Sequence, residues 1–126
     1  MKKLLLIALL LGTLSVFGQS APSTDQVVHH VFFYLKHPDS ETDKQALKDG
    51  LKTLEAIPQV KKLLIGEPAS TLKREVVVND WHVSEIIYFD NAADQDAYQS
   101  HPVHKKFVED CQHLWEKVVV YDTRLD

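Results

Sequence analysis

One order of segments constrains this chain more than any other feature. From residue 27 onward, β-branched and aromatic runs alternate with runs of helical period as β-α-β-β-α-β. Residues 27–36 are rich in Val, Phe and Tyr, lack a helix period, and end at His37-Pro38-Asp39, which predicts a strand and a turn. Thr42 and Gln45 form a T-x-x-Q capping box, behind which Leu47, Leu51, Leu54 and Ile57 recur at helical spacing until Pro58. Gly50 weakens the middle of this helix and predicts the close approach of a strand. Residues 60–67 read as a second strand and 81–90 as a third. Between them, 68–79 form a long connection with Val76-Val77-Val78 extended. Residues 91–99 and 103–116 read as helical around Ser100-His101-Pro102, where a first-turn proline fits, and 118–121 close as a last strand.

That order predicts an α+β domain, the ferredoxin-like βαββαβ split fold, with helices on one face of the sheet. The other face is expected to carry Phe32, Ile87, Val118 and Val120, too much apolar surface to leave wet. A second copy is the simplest cover, so a homodimer is expected.

The first residues set the compartment. Met1-Lys2-Lys3 is a basic n-region, residues 4–11 are an unbroken apolar run too short to span a bilayer, and Val16-Phe17-Gly18 suits a cleavage site. Residues 1–18 are expected to be a signal peptide and 19–26 a flexible leader. The domain itself is 27–126, in a periplasmic or secreted protein. Loss of Lys2 and Lys3 takes the 14 basic side chains to 12 against 18 acidic ones, a net charge of −6. Nucleic acid and anionic membrane both need a basic surface, so neither is expected as a partner. Cys111 is the single cysteine, expected as a buried, inert thiol with no internal disulfide.

One segment is more specific: Tyr98-Gln99-Ser100-His101-Pro102-Val103-His104, followed by Phe107-Val108 and by Leu114-Trp115-Glu116-Lys117 running into Val118-Val119-Val120-Tyr121-Asp122. With His29-His30-Val31-Phe32-Phe33-Tyr34-Leu35-Lys36, Ile57-Pro58 and Ile87-Tyr88-Phe89-Asp90, it resembles the stress-responsive A/B barrel (Dabb) family. The resemblance implies a dimeric α/β barrel in which two sheets face each other. It also implies cofactor-free chemistry of the kind used by a plant polyketide-cyclase member, with a histidine base and a tyrosine. Those roles fall on His104 and Tyr98. The chain departs from the family in its export signal, its extended connection at 66–79, and a charged Glu85 where members are usually apolar.

Counting from Pro102, His104 lies in the first helical turn, whose positive end disfavours imidazolium and keeps the ring basic near pH 7. A neutral histidine beside an apolar cavity can abstract an α-proton, and Tyr98 can donate to the developing enolate oxygen. The blander readings are a helix-capping His104 and a Tyr98 that only packs. Family register points His30, Phe32 and Tyr34 into the barrel with Val83, Glu85 and Ile87, and leaves His29 with Val31 and Phe33 toward the helices. A carboxylate there would be costly unless paired, with His30 or His104 as its expected partner. A one-residue slip would instead send Glu85 to solvent.

Ligand-binding residues are therefore expected at His30, Phe32, Tyr34, Glu85, Ile87, Val118 and Val120, with no metal and no cofactor. His101, His104, His30 and Glu85 could be read as metal ligands, yet His101 precedes the helix and no metal-type spacing supports the set. The expected ligand is a small apolar, aromatic or carbonyl compound. Three functions remain open at this point: a lyase- or cyclase-type enzyme, a non-catalytic ligand-binding or stress-response module, and a monooxygenase-like barrel.

Overall fold

A computed structural model describes residues 25–126; the expected signal peptide and most of the leader lie outside the described residues. The elements are β1 (Val27–Leu35), α1 (Glu41–Lys52), β2 (Lys62–Gly66), β3 (Val83–Phe89), α2 (Ala92–Ser100), α3 (Pro102–Cys111) and β4 (Trp115–Arg124). The strands form one antiparallel sheet in the order β2-β3-β1-β4, so β3 lies between the two strands that α1 connects. This is the expected split fold.

Local chemistry explains the helix ends. The Ser40 hydroxyl, not Thr42, caps α1 by accepting from the Asp43 N–H at 3.1 Å, so the helix begins one residue before the expected cap. Asn91 caps α2 through the Asp94 N–H at 2.8 Å, and the His101 ring caps α3 through the Val103 N–H at 3.1 Å, with Pro102 in the first turn. α3 stops at Cys111 rather than reaching residue 116. A short 3₁₀ turn, Gln112–Leu114, follows, and Trp115 already belongs to a ten-residue β4. The 66–79 region contributes no strand beyond Gly66, so Val76-Val77-Val78 adds nothing to the sheet.

Leu47, Leu51, Leu54 and Ile57 are buried as their spacing predicts. Gly50 does permit a close approach, but by a helix rather than a strand. A Cβ there would lie 2.5 Å from the Cys111 Sγ and 3.2 Å from Phe107, both on α3.

The pairing register corrects the expected faces. Residues directly opposite each other across a ladder share a face. Val31 lies opposite Glu85 and His29 opposite Ile87, so Glu85 and Ile87 face the helices with His29 rather than the open side with His30. Val118 and Val120 lie opposite Phe33 and Val31, so they too belong to the helix side. A bulge is responsible on β4. Tyr34 pairs with Lys117 but Leu35 with Trp115, so Glu116 is an extra residue and reverses the alternation beyond it. The open face instead carries His30, Phe32 and Tyr34 with Val119 and Tyr121. Trp81, from the end of the long connection, lays its ring 5.0 Å from that of Phe32.

Candidate functional site

A cavity of about 170 Å³ lies between the sheet and α2–α3, lined by His29, Glu85, Tyr98 and His104 among apolar neighbours that include Val31, Phe107 and Trp115. β4 is an edge strand, and its half-exposed Val118 and Val120 form the cavity's lip.

Each polar group is placed by its element. Tyr98 lies in the last turn of α2 with its ring buried, and its hydroxyl donates to Glu85 Oε1 at 3.0 Å. His104, the third residue of α3, sets its ring 4.7 Å from that of Tyr98. His29 is the third residue of β1, its ring 5.8 Å from that of Tyr98 and its Nδ1 2.6 Å from Asp122 Oδ1 on β4. An ionised carboxylate only accepts, so this contact puts the imidazole proton on Nδ1 and leaves Nε2 with its lone pair.

Burial governs the electrostatics. It holds His104 below the ordinary histidine range, and His29 adds to the effect when its ring is protonated, while a hydrogen bond with the Gln99 backbone works the other way. The neutral ring expected from the helix end is thus obtained chiefly by desolvation. The Glu85 carboxyl is pushed up to about 7 by burial, which its hydrogen bond from Tyr98 only partly offsets. Burial and the adjacent carboxyl hold the Tyr98 phenol well above its usual range.

The structure therefore brings Tyr98, His104, Glu85, Val118 and Val120 to one cavity. Ile87 is buried on the same face beside His29, under the site rather than in its lining. His30, Phe32 and Tyr34 stand on the opposite face of the sheet, where the rings of His30 and Phe32 lie 4.1 Å apart, and do not meet Tyr98 or His104. Glu85 takes Tyr98 as its partner, not His30 or His104.

Sequence reasoning missed His29 and Asp122. The signal was present: His29 shares the parity of Val31 and Phe33, which puts it on the helix side of the sheet with Tyr98. It missed His82 as well, whose Nδ1 accepts from the Leu35 N–H at 2.8 Å and anchors the end of β1. Among the described residues, no cluster of three or more His, Cys, Asp or Glu could hold a metal ion. A larger hollow of about 300 Å³ between α1 and α3 offers only Lys106 and Asp110 as charged groups, and these pair with each other at 2.8 Å.

The sequence profile of the Stress responsive A/B Barrel Domain family matches residues 27–125. A Dabb-family protein with a ferredoxin-like fold from Mesorhizobium loti is 26% identical over 78% of this chain and 94% of its own, with a TM-score of 0.63. The hydroxynitrile lyase from Passiflora edulis superposes with a TM-score of 0.69 at 20% identity, covering 82% of this chain and 95% of its own. A dimeric ferredoxin-like protein of unknown function from Thermobifida fusca gives a TM-score of 0.64 at 18% identity, over 79% and 91% of the two chains. No curated protein shows significant sequence similarity to the chain.

Proposed function

Because the chain belongs to the stress-responsive A/B barrel domain family, we propose that its helix-side cavity is the active site of a cofactor-free enzyme of the lyase or cyclase type. The observation that carries this reading is a half-buried, neutral-leaning His104 tilted against the ring of Tyr98 at the cavity wall. His104 is the general base, removing a proton from a carbon next to a carbonyl or from the hydroxyl of a carbonyl adduct. In the first case the electron pair moves onto the carbonyl oxygen as an enolate. In the second it re-forms the C=O bond as the added nucleophile leaves with its bonding pair and takes the proton back from His104. Tyr98 donates a hydrogen bond to that oxygen in both. The His29–Asp122 pair holds a second imidazole in a fixed tautomer on the same wall. A pocket of about 150 Å³ holds a benzene-sized guest, so this cavity suits a compound with one small ring or fewer atoms. A lyase on the same fold lends support to the reaction class.

The protein acts outside the cytoplasm, beginning at Gln19 once residues 1–18 are removed. N-terminal sequencing of the exported form checks this, and an intact Met1 overturns it. It works as a homodimer, as neighbours of this fold described as dimeric do, with the open sheet face covered by a second copy. The engagement of Tyr98 by Glu85 favours one further reading, a non-catalytic module that binds small ligands in the same cavity.

Mandelonitrile serves as the test substrate, because its cleavage needs only loss of the hydroxyl proton and departure of cyanide, and the aldehyde released is easily followed. His104→Ala should cost about 10²–10⁴-fold in rate with the fold retained, and Tyr98→Phe should cost less. Binding of benzaldehyde without turnover in any form selects the binding module. A large drop in melting temperature for His104→Ala with unchanged benzaldehyde affinity retires the site altogether.

A further inference from the structure

Glu85 is the one group in the cavity whose placement departs from any simple packing logic. It lies mid-strand on β3 between Val31 and Ile65 of the neighbouring strands, only 2% exposed. The titratable groups that face it are His29 from β1, Tyr98 from α2 and His104 from α3, with Asp122 of β4 already engaged by His29. β2 faces it with Ile65, and α1, which also packs on β3, buries Leu47 and Leu51. No lysine or arginine enters this set, so only the hydrogen bond from Tyr98 offsets the cost of burying the charge, and it does so in part.

The donor count then matters. A phenol has one proton to give, and an ionised carboxylate can only accept. With Glu85 ionised, Tyr98 spends its proton on Oε1. With Glu85 protonated, the acid hydroxyl can donate to the phenol oxygen, which leaves the Tyr98 O–H to turn toward the cavity. Resting on the carbonyl reading of the cavity, we propose that Glu85 is a positioning residue that sets the direction of the Tyr98 hydroxyl and thereby the ligand class. A carbonyl compound is taken while Glu85 holds a proton, and a ligand that brings its own hydrogen-bond donor when it does not. The proton that exchanges comes from solvent water. Burial places this exchange near neutral pH.

The test uses the whole mature chain, with benzaldehyde as an acceptor-only probe and benzyl alcohol as a donor. Affinity for benzaldehyde should fall by about tenfold or more between pH 6 and pH 8, as binding linked to one proton requires. Affinity for benzyl alcohol should not fall. Glu85→Gln, whose amide donates to the phenol oxygen and never ionises, should bind benzaldehyde at the low-pH level throughout. Glu85→Leu, which leaves Tyr98 free, should be equally flat and serves if the amide fails to fold. The ¹³Cζ resonance of Tyr98 should titrate over the same range in the unmutated chain and in neither variant. A flat Tyr98 resonance, or pH-dependent benzaldehyde binding that survives Glu85→Gln, overturns the proposal. If the resonance titrates but neither probe binds at any pH, the carbonyl reading fails while the control of Tyr98 by Glu85 stands. If benzaldehyde binds with an affinity independent of pH, the carbonyl reading stands and the role of Glu85 falls.

Discussion

A carboxyl group shut between a sheet and two helices makes the fold depend on pH in a definite direction. The Glu85 proton is held up to about 7 in the folded chain against 4.5 in the unfolded one. Between those values the native state binds more protons, so the stabilising contribution is complete below about pH 4.5 and is lost as pH rises through about 7. The gap corresponds to roughly 3 kcal/mol. Glu85→Gln removes it, so the melting temperature of the variant should gain on that of the parent as pH is raised from 5 to 8. Parallel melting curves across that range would contradict the assignment. At this scale the sequence pointed to His104, Tyr98 and Glu85, because each is an unusual residue type at a specific place. It did not point to His29 and Asp122, because their pairing joins residues on β1 and β4 that only strand register brings together.

Among the elements, α1 and α3 meet most tightly at Gly50. Alanine there would gain about 1 kcal/mol of helix propensity, but its methyl would strike the Cys111 thiol and crowd Phe107. Overpacking of this kind costs about 1–3 kcal/mol, so Gly50→Ala should lower stability on balance. Combining it with Cys111→Ala should recover most of the loss, and chemical denaturation of the three variants measures both effects. An isolated Gly50→Ala that is more stable than the parent would show that α3 is free to move away. Helical spacing made α1 and its buried leucines legible, and the turn residues marked most element ends. The end of α3 was not legible: residues 112–116 keep an apolar rhythm, yet the chain turns at Gln112–Leu114 and the aromatic Trp115 joins the sheet. The faces of β3 and β4 were also hidden, since alternation gives parity only relative to a starting point.

For the molecule as a whole, one sheet separates two tasks. Its helix side holds the cavity, and its bare side holds Phe32, Val119 and Tyr121. Burying a side chain of this size is worth about 1.5–3 kcal/mol, which would drive the proposed docking of a second copy there. Val119→Asp should therefore yield monomer or aggregate by light scattering at micromolar concentration, whereas Val118→Asp should disturb the cavity lip and leave the dimer intact. A parent chain that is itself a monodisperse monomer would dismiss the paired barrel. Which residues of β4 serve which side rests on Glu116 standing outside the pairing. That residue is exposed, and its side chain has no part in either task. What counts is that the ladder skips it, much as a reading frame is kept when a stray nucleotide is passed over, whatever base it carries. Exchange it or delete it and both surfaces survive, because Trp115 and Lys117 already stand opposite consecutive residues of β1; draw it into the ladder, and Lys117 turns inward while Val118, Val120 and the aspartate that clasps His29 are all delivered to the wrong address.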